Sequence, residues 1–461
     1  MFLILRRARF FRGIQEEFID MKELTVTKFG GTSMADAKQF RRVKEILLAD
    51  PRRRFVVPSA PGKRFKDDIK VTDMLYACHK KAAAGEDYSA VFADIRERYL
   101  SIARELELSY DITPELDVVE KNIGEKLNPD YTASRGEYLC GRLLAAYLGW
   151  EFIDAAEIVR FDRQGAFAAE WTNDIASQRL ANVARAVVPG FYGSLPNGEV
   201  HTFSRGGSDV SGATIARAAG ASLYENWTDV SGFLMADPRI VKDPLPIRTL
   251  TYRELRELSY MGATVLHEDS IFPVRKAGIP TRILNTNDPS AEGTIIVDHT
   301  LIPPERVFTG FAGTKNFSIL SIEKSMMNSE VGFGRRVLQA LEENGVCFEH
   351  LPTGIDTMCV IVHNTDLEAH KERIFERINE MCHPDSIELS GPMALVACVG
   401  RGMKGAPGSA AKALNALAEA NINIRMIDAG SSELNLIVGV DEEDYENAIR
   451  AVYGAFVKKA E

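Results

Sequence analysis

At 461 residues, 45% hydrophobic and 26% charged, the chain is long enough for two or three domains with large cores. A net charge of −10 gives a nucleic-acid partner no electrostatic support, and no apolar run approaches the roughly 20 residues that a membrane span needs. The six cysteines are scattered and form no CxxC pair, which fits buried reduced thiols and a cytoplasmic address.

Residues 1–22 stand apart as an N-terminal extension, expected to be disordered. The apolar run Phe2-Leu3-Ile4-Leu5 is shorter than the about 7–15 residues of a signal-peptide core. Met21 stands just before the first good strand, which suggests an upstream start codon. A membrane-surface helix is the alternative.

From Leu24 short apolar runs alternate with amphipathic stretches. Leu24 to Phe29, Phe55-Val56-Val57, Phe152-Ile153 and Ala186-Val187-Val188 read as strands. Residues 36–49, 71–84, 134–148 and 209–219 read as helices. In the first of these, Phe40, Val43, Ile46 and Leu47 recur at helical spacing. Strands alternating with helices predict an α/β three-layer sandwich, with a largely parallel central sheet covered on both faces.

The texture changes after "LIPPERVFTG", near residue 305. Two units of about 70 residues then repeat, each beginning strand, helix, strand, strand, the second adding a further helix. That order predicts two small α+β modules of the split-βαβ type. The chain therefore divides into a domain over 23–305 and a paired-module region over 306–461. Gly400-Arg401-Gly402-Met403-Lys404-Gly405 matches GxGxxG, but Ala406-Pro407-Gly408 delays the helix, so the stretch reads as a strand-to-helix loop and not a dinucleotide site.

Four patches carry chemistry. In Lys28-Phe29-Gly30-Gly31-Thr32-Ser33, glycines at a strand-to-helix junction let backbone N–H groups approach an anion, and the lysine adds a point charge. A plain turn with Ser33 as helix N-cap is the competing reading. Arg205-Gly206-Gly207-Ser208-Asp209 repeats the design before an Ala-rich helix. Arg205 offers a two-pronged carboxylate clamp, and Asp209 could hold magnesium–phosphate or a lysine, or merely cap the helix. Ser134 and Glu137 have capping-box spacing, although Glu137 could instead grip an ammonium group. Thr228-Asp229 and Asp237-Pro238-Arg239 are a strand end and a turn that could serve a nucleotide.

Taken together, KFGGTS, SRGGSD, the TDVSGF…ADPR stretch and "ELSYMGATVLH…NTNDPSAEGT" resemble the aspartokinases of the amino-acid kinase family, in order from about residue 24 to the C-terminus. The repeats resemble ACT modules. The resemblance implies the amino-acid kinase fold, with ATP (and the Mg2+ carried with it) and L-aspartate as substrates. It implies phosphoryl transfer to the side-chain carboxylate, giving 4-phospho-L-aspartate, the first step of lysine, threonine and methionine biosynthesis. It gives Lys28 and Asp209 catalytic roles, and assigns Lys28, Gly30, Gly31, Thr228, Asp229 and Arg239 to the nucleotide. Ser59, Thr72, Glu137, Phe191, Arg205 and Ser208 fall to aspartate, with Arg205 on its α-carboxylate and Glu137 on its α-ammonium. Met327, Asn328, Ser329 and Glu349 match the effector pocket, where lysine, threonine or both would bind, and ACT pairing implies a homo-oligomer. No resident metal site is implied. Leu234 and Met235, Thr264, and the long charged loop "SAPGKRFKDDIKVTD" depart from the family pattern. A kinase for another carboxylate or a nucleoside monophosphate, and a catalytically inactive amino-acid sensor on the same scaffold, are the rival readings.

Overall fold

The computed structural model describes residues 23–204, 206–263, 266, 268–300 and 303–457. The extension 1–22, Arg205, Thr264 and His267 lie outside them. The chain divides into two compact units. One runs to Phe233 and includes Arg248–Tyr252 and Val265–His299; the other takes in Leu234–Ile247, Arg253–Thr264 and the residues from Thr300 onward.

Among the described residues, the first unit holds β1 (Thr25–Phe29), β2 (Arg53–Pro58), β3 (Glu151–Phe152), β4 (Ala186–Val187), β5 (Tyr192–Ser194), β6 (Val200–Thr202), β7 (Leu223–Thr228), β8 (Thr249–Thr251), β9 (Thr281–Asn285) and β10 (Thr294–Val297). Eight of them form one sheet in the order β3-β4-β2-β1-β7-β9-β10-β8, while β5 and β6 form a separate ribbon. Every pairing in the large sheet is parallel except β9 with β10. All five residues of β1 are buried, as expected for a central strand covered on both faces. Lys28 pairs in register with Val57 and Asn226, Phe29 with Pro58 and Trp227, and Thr228 with Asn285. The carboxyl ends of β1, β2, β7 and β9 therefore lie along one edge, where open parallel sheets bind ligands.

The helices that matter for this edge are α1 (Ala37–Ala49), α2 (Val71–Ala83), α3 (Ser89–Glu105), α4 (Thr113–Lys126), α5 (Pro129–Leu148) and α6 (Gly207–Ala218). Phe40, Leu75, Tyr99, Leu139 and Leu143 pack with Phe29, Val56 and Trp227 in one buried core. Each such side chain contributes about 1.5–3 kcal/mol by leaving water.

Two helix starts differ from the sequence reading. Asp36, not Ser33, caps α1, its carboxylate accepting the Gln39 N–H at 2.9 Å. Gly31–Met34 instead form a single 3₁₀ turn. Asn128 caps α5 through the Tyr131 N–H at 2.9 Å, with Pro129 opening the helix. Ser134 and Glu137 thus lie within α5, and their spacing is not a capping box.

In the second unit, β11 (Gly310–Glu323), β12 (Thr357–His363), β13 (Ser386–Val399), β14 (Ile424–Asp428) and β15 (Asn435–Asp441) form an antiparallel sheet in the order β12-β11-β13-β15-β14. Helices α7 (Phe333–Glu342) and α8 (Lys371–Cys382) share a core with β11 and β12 through Val337, Ile374, Leu320 and Val360. Helices α9 (Ser409–Glu419) and α10 (Tyr445–Phe456) serve the other module. Both modules therefore carry two helices; the sequence reading found the second helix only in the later one. The two modules also interlock. Residues 317–323 of β11 pair with β12, whereas Gly310 to Thr314 pair with Leu395 to Val399 of β13, which in turn pairs with β15. The first strand of this region thus completes the later module before entering the earlier one.

Candidate active site

Lys28 is the natural starting point, because a buried cation must find a partner. Its side chain is 9% exposed, and Nζ meets Asp209 Oδ1 at 2.8 Å. Asn226, one strand over, sits between them: its Nδ2 donates to Asp209 Oδ1 at 2.7 Å, and its Oδ1 lies 3.5 Å from Lys28 Nζ. Lys28 is the last residue but one of β1 and Asp209 stands in the first turn of α6, so this ion pair joins the two glycine-rich turns at one point. Asn226 was not anticipated. Its only signal is an amide in the middle of a buried strand.

The first turn is built on close backbone approach. Gly30 N–H donates to the Trp227 carbonyl at 3.0 Å, and Gly62 N–H to the Gly31 carbonyl at 2.7 Å. A Cβ on Gly62 would lie 2.6 Å from the Gly31 carbonyl carbon, so no larger residue fits without moving the turn. Ser33 Oγ pairs with Thr286 Oγ1 at 2.8 Å, and the Thr286 N–H donates to the Thr228 carbonyl at 2.8 Å, which ties the turn to the ends of β7 and β9. Thr228 Oγ1 donates to Asp229 Oδ1 at 3.2 Å beside it.

Around the second turn, Phe191 has φ +79° and donates its N–H to Ser211 Oγ at 2.9 Å. A Cβ on Gly207 would lie 2.6 Å from the Phe191 ring, and one on Gly190 2.9 Å from Ser208. Phe191 and Ser208 therefore flank the start of α6. Arg205, the residue before these glycines, is outside the described residues.

Glu137 is buried, and its Oε2 has no hydrogen-bond partner among the described residues. Burial pushes its carboxyl up to about 8, against the pull of the Ala60 N–H and the Arg135 guanidinium. Ala60 links this carboxylate to the first turn. A Cβ on Gly136 would meet the Ala60 Cβ at 2.8 Å, while one on Gly31 would meet the Ala60 carbonyl at 3.0 Å. Ser59 N–H donates to the Phe29 carbonyl at 3.0 Å, and Val71 N–H to the Pro61 carbonyl at 3.1 Å, which sets Thr72 in the opening turn of α2. The arrangement offers a buried ammonium, close-approach glycine turns and an unsatisfied buried carboxyl at the end of a parallel sheet, which suits a ligand bearing both charges.

Arg239 belongs to the second unit, where Asp237 holds its exposed guanidinium at 2.6 Å. There Met327 is buried, while Asn328 and Ser329 are exposed on a 3₁₀ turn fixed by the Asn328 N–H to the Ile355 carbonyl at 3.1 Å. The Glu349 carboxylate accepts the Tyr260 hydroxyl.

An amino acid kinase family model matches residues 23–285, and an ACT domain model matches 396–456. Aspartokinase 3 of Bacillus subtilis (strain 168) is 39% identical over 452 residues, spanning 94% of this chain and 98% of that one. The chain belongs to the aspartokinases of the amino acid kinase family. The aspartate kinase of Clostridium acetobutylicum, described as an allosteric enzyme, is 51% identical, covers 94% of this chain and 100% of its own, and superposes with a TM-score of 0.89. E. coli aspartokinase III, solved with aspartate and ADP and again with lysine and aspartate, is 26% identical with a TM-score of 0.73, and covers 94% and 95% of this chain and 99% and 100% of its own. The ACT match begins inside β13 and so omits the Gly310–Thr314 strand that completes the same module.

Proposed function

We propose that this aspartate kinase moves the γ-phosphoryl group of MgATP onto the side-chain carboxylate of L-aspartate, giving 4-phospho-L-aspartate for lysine, threonine and methionine synthesis. The ion pair of Lys28 with Asp209 carries the reading, because it draws two glycine-rich turns to one point on the sheet edge. The attacking carboxylate has an ordinary pKa near ~4 and is ionised at neutral pH, so no general base is needed. The obstacle is bringing an anion to a polyanion. Lys28 answers it by bridging the phosphates, with the Gly30-Gly31 turn, which carries no side chain, letting them come close to the backbone, and Asp209 and Asn226 fixing the ammonium. Magnesium arrives with the nucleotide, whose other contacts fall to Thr228 and Asp229. Arg205 and Glu137 take the two ends of the amino acid, and Ser59, Thr72, Phe191 and Ser208 line its pocket. The intact Lys28 and Asp209 weigh against an inactive sensor. ADP release measured with aspartate, with glutamate and with no acceptor tests this assignment. Aspartate-dependent release supports it, and equal release in all three reactions rejects it.

The 3₁₀ turn with Asn328 and Ser329, together with Glu349, supports an effector site for lysine, threonine or both. E. coli aspartokinase III has been solved with lysine. Next to that turn, Met326, Val331 and Ile355 expose apolar surface, Val331 being 95% exposed, which a second subunit would cover in a homo-oligomer. Titration calorimetry is expected to give heat with lysine or threonine. Silence with both removes the effector proposal.

A further inference from the structure

Helix α3 has no role in the chemistry above, yet it carries a guanidinium, Arg98, that is only 4% exposed. Arg98 Nη2 donates to both carboxylate oxygens of Asp68, at 2.9 and 3.0 Å, and Nη1 donates to the Gly62 carbonyl at 3.0 Å. Asp68 also receives Arg64, through Nε at 2.8 Å and Nη2 at 3.0 Å, a contact that holds its carboxyl well below the usual carboxylate range. The next residue of α3, Tyr99, donates its hydroxyl to the Gly136 carbonyl at 2.7 Å. One turn of α3 therefore grips two elements: the 59–70 loop at Gly62, and α5 at the residue before Glu137. Ala60 lies against Gly136, and Gly62 lies against Gly31. Both ends of the candidate site are thus set from α3.

We propose that Arg98 is a positioning residue for phosphoryl transfer, which holds the 59–70 loop so that the Gly31 turn and the Glu137 carboxylate keep their spacing. This rests on the roles given above to Gly31 and Glu137. Ala60 and Pro61 are buried, but from Lys63 to Lys70 the loop is charged except for Phe65 and Ile69, which are both exposed. The buried fork supplies the anchor instead. Only arginine can bond a carboxylate and a carbonyl at once with its planar donors.

Steady-state kinetics of Arg98→Met and Arg98→Lys test the proposal, with wild type and Glu137→Gln alongside. Arg98→Met should fold, because Asp68 keeps Arg64. Its aspartate KM is expected to rise about tenfold, the scale of one hydrogen bond to a charged group. The pH at which that KM improves should move upward, because Ala60, whose N–H favours the Glu137 carboxylate, shifts with the loop. Arg135 is the charged group that acts on Glu137, and Tyr76, Tyr99 and Cys140 are its titratable neighbours; all four side chains are kept in this variant, and of them Tyr99 alone interacts with Arg98. Arg98→Lys should recover part of the loss. A lowered thermal midpoint with an unmoved KM and pH midpoint makes Arg98 purely structural and overturns the proposal. If Arg98→Met does not fold, Tyr99→Phe, which removes one hydroxyl, decides by the same readouts. If Glu137→Gln leaves the aspartate KM untouched, the role of Glu137 falls. Arg98 is then judged on the MgATP KM, which its hold on Gly31 should raise, and an unmoved value overturns it.

Discussion

Changing Lys28 to alanine is expected to lower kcat at least about 10²-fold, the scale for losing a preorganised electrostatic group. That factor corresponds to about 2.7 kcal/mol of transition-state stabilisation. The argument starts from location. The ammonium is almost fully enclosed, at the carboxyl end of the central strand, and it is paired with the Asp209 carboxylate. In such a site its field is weakly screened, and Asn226 and Asp209 already fix its direction, so little reorganisation remains when a phosphoryl group arrives. Alanine removes that charge and leaves Asp209, among the described residues, with the Asn226 amide. Stability should fall too, by about 1–3 kcal/mol, because a half-buried carboxylate loses its counter-ion. Thermal unfolding separates this loss from the kinetic one. Near-wild-type turnover in a folded Lys28→Ala protein would contradict the assignment.

The parts of this site that could be read from sequence are those where one residue type has few other uses. Paired glycines beside a cation at a strand end are such a case, and Lys28 and Asp209 meet although far apart in the chain. Asn226 escaped because an amide in a strand is usually a solvated residue; only its register opposite Lys28 reveals it. The start of α5 was misplaced for a different reason. Ser134 and Glu137 satisfy a local pattern, but Asn128 followed by Pro129 satisfies a stronger one upstream, and hydrophobic periodicity cannot choose between them. The alternation of strands and helices gave the parallel sheet correctly, since helices on both faces bury β1 throughout and β2 from Phe55 to Pro58. The interlocked modules were illegible because strand pairing is non-local. Nothing in "FAGT" tells that it pairs with the later module's strand rather than with its own neighbour in sequence.

Glu137 yields the other large effect, and its sign follows from burial. A carboxyl pushed up to about 8 is mostly neutral in the free enzyme at pH 7. A neutral carboxyl cannot form an ion pair with an ammonium group, so in the role proposed for it Glu137 gives up its proton when aspartate binds. The aspartate KM should therefore fall as pH rises from about 6 to about 8 and level off above that, where the carboxylate is already formed. Calorimetry in buffers of different ionisation enthalpy should register a proton released on binding near pH 7. Glu137→Gln keeps the shape but not the charge; it should raise the aspartate KM by about 10²-fold, as truncating one partner of a buried charge pair does, and flatten its pH dependence. Stability has the opposite trend. The folded-state pKa lies above the unfolded value near 4.5, so between the two the folded state holds the extra proton. The stabilisation is complete below about 4.5 and is lost as pH climbs through about 8. Wild type should thus lose stability across that interval faster than Glu137→Gln does. A wild-type aspartate KM that stays flat from pH 6 to 8, with no proton released, means that Glu137 binds its ligand without ionising and does not hold an ammonium group.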